Sequence, residues 1–247
     1  MQSASESQDD IADRLFSAMQ EDEFVLYCQS IVSFVPHTDG RAFNEIFVRL
    51  QEEDAKLLPP GSFFPMLEEV GMLPFLDRWV VNRLARFVRA GLKVNPDWEV
   101  PRYIVNLSDE TLADEEFGTY VLQYADDSYL SGGVLGFDIS CESAVANRES
   151  LQNLMGELRP HGCSLTVAGF DGSDAALAEL KALEPDFVKI NATAVDPAKV
   201  SEINRMCHDL GAQTIAEHVE DDQVLDHLRS CKIDFGQGFG LAKVEPL

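Results

Sequence analysis

The 247-residue sequence is short of positive charge: 19 lysines and arginines stand against 43 aspartates and glutamates, for a formal charge of −24. A surface of that sign repels polyphosphate. Bulk electrostatic binding to a nucleic acid polymer or an anionic membrane is thereby excluded, and any anionic ligand needs a local basic pocket. Cysteine is sparse too. The five present, Cys28, Cys141, Cys163, Cys207 and Cys231, are odd in number and contain no C-x-x-C pair, which argues against a disulfide framework or a thiolate zinc site. No apolar run approaches the ~18 residues of a membrane span, and the polar start MQSASESQDD lacks a signal-peptide core. These absences lead us to expect a cytoplasmic chain with no membrane contact of its own, equally compatible with a segment of a longer protein.

What the sequence does contain is an alternation of strand-like and helix-like stretches. Eight apolar runs read as strands: FVLYCQSIV from Phe24, FNEIFVRL from Phe43, RYIVNLS from Arg102, VLGFDIS from Val134, SLTVAGF from Ser164, DFVKIN from Asp186, QTIAEHV from Gln213 and DFGQGFG from Asp234. Between the later runs, segments such as SDAALAELKAL and PAKVSEINRMCHDLG carry apolar residues at three- and four-residue steps, the spacing of amphipathic helices. The interval from Leu57 to Val100 has room for two helices. Eight strands in ~250 residues, most followed by a helix, predict an α/β protein of modified (β/α)8 TIM-barrel type. No linker or low-complexity stretch follows residue 10. The expected organisation is an acidic tail and linker helix over residues 1–20, then one barrel domain over 21–247.

Barrel chemistry gathers at the C-terminal ends of strands. The polar residues expected there are Gln29, Glu45 with Arg49, Asn106, Asp138, Lys189 with Asn191, Glu217 and Gln237. Glu45, Asn106, Asp138 and Glu217 are hard oxygen ligands of the kind that Mg²⁺ takes. A single polar residue at a barrel rim is often merely solvated, whereas a ring of carboxylates, amides and a lysine fits a phosphate ester with a cation. One strand breaks the ring: LTVAGFDGSD runs into Ala168 and Gly169, which can neither donate, accept nor coordinate.

In order and spacing, LYCQSIV, NEIFVRL, VNLS, FDISCES, FVKIN, AEHVE and QGFG resemble the signature motifs of the EAL domain, the family of cyclic di-GMP phosphodiesterases and their degenerate relatives. The resemblance covers nearly all of residues 22 to 247. It implies an eight-stranded barrel whose first strand runs antiparallel to its neighbour. It also implies a two-metal site in active members, with ligands at the positions of Glu45, Asn106 and Asp138 and a pair of aspartates at the positions of Ala168 and Gly169. Both aspartates are missing here. Further departures are Asp138 for Glu, Cys141 for Glu, Asn191 for Asp and His218 for Gly; Asp171, beyond Phe170, would need a rearranged loop to serve as a substitute ligand.

The resemblance places nucleotide-binding positions at Gln29, Glu45, Phe47, Arg49, Asp77, Asn106, Glu217 and Gln237, with Ile46-Phe47 standing for the family's Ala-Leu and with Glu45, Lys189 and Glu217 as catalytic remnants. The resemblance therefore implies a catalytically inactive receptor for cyclic di-GMP that requires no cofactor. At most one weak Mg²⁺ site, at Glu45, Asn106 and Asp138, is expected. Expected partners are the nucleotide and either a protein, a neighbouring signalling domain or a second copy of the chain. Two other readings stay open: a scaffold that has lost the nucleotide, with Phe47 filling the pocket, and a residual phosphodiesterase. On residue type alone, Asp77 suits a guanine edge or a helix surface equally, and His218 is expected to be a rim residue.

Overall fold

The computed structural model describes residues 8–35, 40–51, 56–128, 130, 132–191 and 197–247. All eight expected strands form: β1 (Phe24–Ser30), β3 (Phe43–Gln51), β5 (Arg102–Asn106), β6 (Leu135–Ser140), β7 (Ser164–Ala168), β8 (Phe187–Asn191), β9 (Gln213–Glu217) and β10 (Phe235–Gly236). Three short strands join them: β2 (Val32–Ser33), β4 (Leu57–Leu58) and β11 (Val244–Pro246). The order in the sheet is β11-β1-β3-β5-β6-β7-β8-β9-β10-β2. Because β2 follows β1 after one residue, Ile31, this path returns to its own start as a barrel. From β3 to β10 all neighbours are parallel, while β1 runs antiparallel to β3.

Helices cover the outside. The Leu57–Val100 interval holds α2 (Pro60–Glu69) and α3 (Leu73–Val94), the latter burying Leu73, Leu76, Val80, Val81, Leu84 and Val88 at helical steps. SAVANRESLQNLMGELRPHG splits at Asn147 into α6 (Cys141–Ala146) and α7 (Arg148–Leu158). The remaining helices are α1 (Gln8–Gln20), α4 (Asp109–Leu112), α5 (Phe117–Ser128), α8 (Asp174–Leu183), α9 (Val200–Asp209) and α10 (Asp222–Ser230). Side-chain caps start four of them: Ser108 for α4, Ser140 for α6, Ser173 for α8 and Asp221 for α10. The first helix, α1, buries Leu15, Ala18 and Met19, and the Trp79 indole N–H donates to the Met19 carbonyl at 3.0 Å. Among the described residues, no helix is long and apolar enough to cross a membrane.

Inside the barrel, side chains stack in layers. Ile31, Phe43, Ile104, Phe187, Ile215 and Phe235 form an apolar plug, with ring centroids 5.0 to 5.9 Å apart for its three phenylalanines. Two residues further along each strand, on the same face, come Glu45, Asn106, Lys189, Glu217 and Gln237. The period-two alternation of the strands thus puts a polar layer directly on the plug. That layer is the candidate site.

Candidate functional site

At its centre is Lys189. The ammonium lies 2.5 Å from Asp138 Oδ2, 2.6 Å from Glu45 Oε2 and 3.5 Å from Glu217 Oε1, and the side chain is 1% exposed. The other donors converge on Glu45: Asn106 Nδ2 donates to Oε1 at 2.9 Å and Gln237 Nε2 to Oε2 at 2.8 Å. Six residues expected at one mouth, from six strands or their ends, are therefore brought together.

One feature of the expectation is corrected. Glu45, Asp138 and Lys189 are not at strand C-termini. Glu45 is the third residue of β3, which continues past the rim because β1 and β4 pair with it there, Leu50 opposite Leu58 and Gln51 opposite Leu57. Asp138 and Lys189 lie inside β6 and β8, so the charged layer is sunk in the barrel. Burial on this scale moves protons. Asp138 is pushed up to about 7, chiefly by desolvation with Glu45 and Glu217 adding, against the pull of Lys189. Desolvation works against the Lys189 ammonium, but Asp138, Glu45 and Glu217 outweigh it and hold the lysine charged above its ordinary range. Glu45 is buried as well, yet Lys189, Asn106 and Gln237 keep it below the usual carboxylate range.

Above this layer are two cavities that share Glu45 and Phe47 as walls. One, of about 290 Å³, is lined by Gln29, Arg49, Glu217, His218, Gln237 and Phe239 among others. The second, of about 530 Å³, reaches toward α2 and α3 and is lined by Asp77, Asn106 and Ser108 among others. Gln29 opposes Glu45 across the antiparallel β1–β3 pair and donates to the Ala242 carbonyl at 2.9 Å. Arg49, four residues beyond Glu45, donates to the Val48 carbonyl, and its guanidinium lies 5.8 Å from the ring centres of Tyr27 and of Phe47. Asp77 is buried, and its Oδ2 accepts from Ser108 N, Ser108 Oγ and Thr111 Oγ1 at 2.6 to 2.9 Å. Desolvation raises its pKa despite these bonds. Asp77 thus fastens the loop between β5 and α4 to α3, a role that residue type alone did not reveal. His218, expected at the rim, is a wall of the smaller cavity; Phe239 is a wall residue that sequence reasoning did not place in the site, since it sits in no periodic pattern that would have marked it.

The donor set does not fit a pair of divalent ions. A metal pair needs carboxylates that bridge it, but β7 ends in Ala168 and runs on to Gly169, with no oxygen side chain at either. Asp171 is exposed and its Oδ1 accepts from Ser173 N at 2.8 Å, in the turn that leads into α8. Among the described residues no group of three His, Cys, Asp or Glu side chains is placed to hold a metal ion. At the expected single-ion site of Glu45, Asn106 and Asp138, Lys189 already pairs with Glu45 Oε2 and Asp138 Oδ2, while Asp138 Oδ1 is buried without a hydrogen-bond partner among the described residues.

Two outcomes follow from the charge layer. Lys189→Met leaves the Glu45 and Asp138 carboxyls buried without their cation, and urea unfolding is expected to show a loss of about 3–5 kcal/mol. A change below about 1 kcal/mol would contradict the geometry. The second concerns pH. Asp138 keeps in the folded state a proton that the unfolded chain releases above about 4, so its contribution to stability falls as pH rises from about 4 to about 7. Asp138→Asn removes that slope, which unfolding midpoints measured at pH 4.5, 6 and 7.5 will reveal.

The site geometry can be set beside known proteins. The profile described as EAL domain matches residues 12–244. Two curated relatives, the cyclic di-GMP phosphodiesterases PdeB of Shewanella oneidensis and PdeF of Escherichia coli, are each 26% identical over 242 residues, 95% of this chain. The match covers 28% and 32% of their lengths, so the chain spans about a third or less of either relative. Among solved structures, the FimX EAL domain from Pseudomonas aeruginosa bound to c-di-GMP superimposes with a TM-score of 0.86 at 21% identity, covering 96% of both chains. The MucR phosphodiesterase–c-di-GMP complex gives 0.82 at 23% identity, covering 96% of this chain and 97% of that one. The barrel with its antiparallel first strand, the polar layer on its plug and the match over nearly the whole chain together make this protein a member of the EAL domain family.

Proposed function

We propose that the chain is a cyclic di-GMP receptor that has lost the hydrolytic reaction and passes the bound state to a protein partner or a neighbouring domain. The observation that carries this reading is the occupancy of Glu45. Its two oxygens are engaged by Lys189, Asn106 and Gln237, while the positions that would supply bridging carboxylates are Ala168 and Gly169. Without a bridge there is no metal-activated water to attack a phosphodiester.

What remains is suited to binding. The Arg49 fork matches a phosphate or the O6 and N7 edge of guanine. Gln29 and Gln237 offer amides, and Asn106 and Glu217 complete the polar floor. Asp77 could accept from guanine N1 and N2 only through its second oxygen, since Oδ2 is already taken. The likeness to the FimX EAL domain, which was solved with this ligand, supports the reading at the level of fold. The internal Lys189 also screens the carboxylates from a dianionic ligand, so no metal is needed to offset them.

A second reading, a scaffold that works through protein contacts alone, is favoured by Phe47. It is a wall of both cavities, the space that a two-base ligand would need.

Titration calorimetry with cyclic di-GMP in EDTA and in Mg²⁺ separates these readings. The receptor binds equally in both buffers, and Arg49→Ala weakens binding by about 1.5–3 kcal/mol, roughly ten- to a hundredfold. No linear product accumulates with Mg²⁺ or Mn²⁺. No heat at high micromolar ligand establishes the scaffold; turnover that disappears in Glu45→Ala establishes a phosphodiesterase.

A further inference from the structure

We infer that His218 is a ligand contact of the smaller cavity, carried there by a clamped loop that sets its backbone in the left-handed region. The inference rests on the cyclic di-GMP reading and adds a residue that the family resemblance does not carry, since the matching position in the A-E-G-V-E motif is glycine.

His218 has φ of +60°, in the left-handed region that side chains with a Cβ avoid. Among the described residues, three other non-glycine residues share it, Asp22, Glu184 and Lys232. Each lies within two residues of the end of a helix, α1, α8 and α10 respectively, where a left-handed residue is the ordinary way to finish. His218 instead follows strand β9, at the rim of the site, and no helix end accounts for it. Strain of this kind persists only where the surroundings over-determine it.

The surroundings do so here. Val219 N donates to the Gln237 carbonyl at 3.0 Å, and Gly240 N donates to the Val219 carbonyl at 2.9 Å. Gly238 lies so close that an added Cβ would fall far inside contact distance of the Val219 backbone N and O. The segment after β9 is thus clamped to the one after β10. In this clamped loop Val219 is buried, and His218 is exposed as a wall of the cavity that also contains Gln29, Arg49, Gln237 and Phe239.

Charge gives the imidazole a use. Glu45, Glu217 and Glu220 line that cavity, against Arg49 as the lining guanidinium. With Glu45 and Glu217 paired to Lys189 beneath the floor, a dianionic dinucleotide entering there meets Arg49 as the cation of the wall. An imidazole N–H arriving from the β9 side adds a donor to the one that β3 supplies, directed at a phosphate oxygen or at guanine O6 or N7. Phe239, 70% exposed beside it, presents an aromatic face to a base in the same space.

The test is a paired measurement on His218→Gly and His218→Gln: calorimetric affinity for cyclic di-GMP, and thermal unfolding without ligand. His218→Gly should raise Tm by about 2–4 °C, because glycine relieves the strain, while weakening binding by about three- to tenfold. His218→Gln, which keeps a side-chain donor, should bind within about twofold of wild type. Wild-type affinity in His218→Gly overturns the inference and leaves the receptor reading intact. So does a variant that loses stability and affinity together, since that pattern marks a structural role. Absence of binding by the wild-type protein overturns the receptor reading, and the inference with it.

Discussion

The ion-paired Lys189 ammonium is the interaction on which the barrel mouth depends. Packing two buried carboxylates and a third, half-buried one within a few ångströms of each other is prohibitive without a positive charge among them. Here the positive charge is covalently part of β8 and lies 1% exposed under both cavities. Asp138 and Glu45 are held in place by it, and through Glu45 so are Asn106 and Gln237.

The layer below explains why this arrangement stays rigid. Three buried phenylalanines and three buried isoleucines pack into one apolar cluster directly beneath it. Above it the walls are built from elements that overrun the barrel. β3 rises past the rim with Phe47 and Arg49, and the clamped segments after β9 and β10 bring His218 and Phe239 to the same space. The chemistry available to a ligand is accordingly that of a guanidinium, an imidazole, amides and aromatic faces set over a neutralised acid layer.

Much of this was legible in the sequence because strands carry their pattern in the order of residues. All eight apolar runs became barrel strands, and the steps from Phe43 to Glu45, Ile104 to Asn106 and Phe187 to Lys189 already place a polar side chain two residues beyond an apolar one. Other features were not legible. The antiparallel direction of β1 came only from family resemblance, since alternation is the same in both directions. The overrun of β3 depends on pairing with β1 and β4, so Glu45 was misplaced at a strand end. Asp77 is polar on an apolar helix face, and residue type could not say that Ser108 and Thr111 would claim it. His218 gave no signal beyond replacing a glycine, because a positive φ is a property of the clamp around it and not of histidine.

The most direct test of the account is a crystal structure grown with cyclic di-GMP and Mn²⁺, with anomalous data collected at the manganese edge. The account predicts the dinucleotide over Glu45, the Lys189 ammonium still bonded to Glu45 and Asp138, and no anomalous peak among Glu45, Asn106 and Asp138. A manganese peak there, with Lys189 swung away, would contradict it.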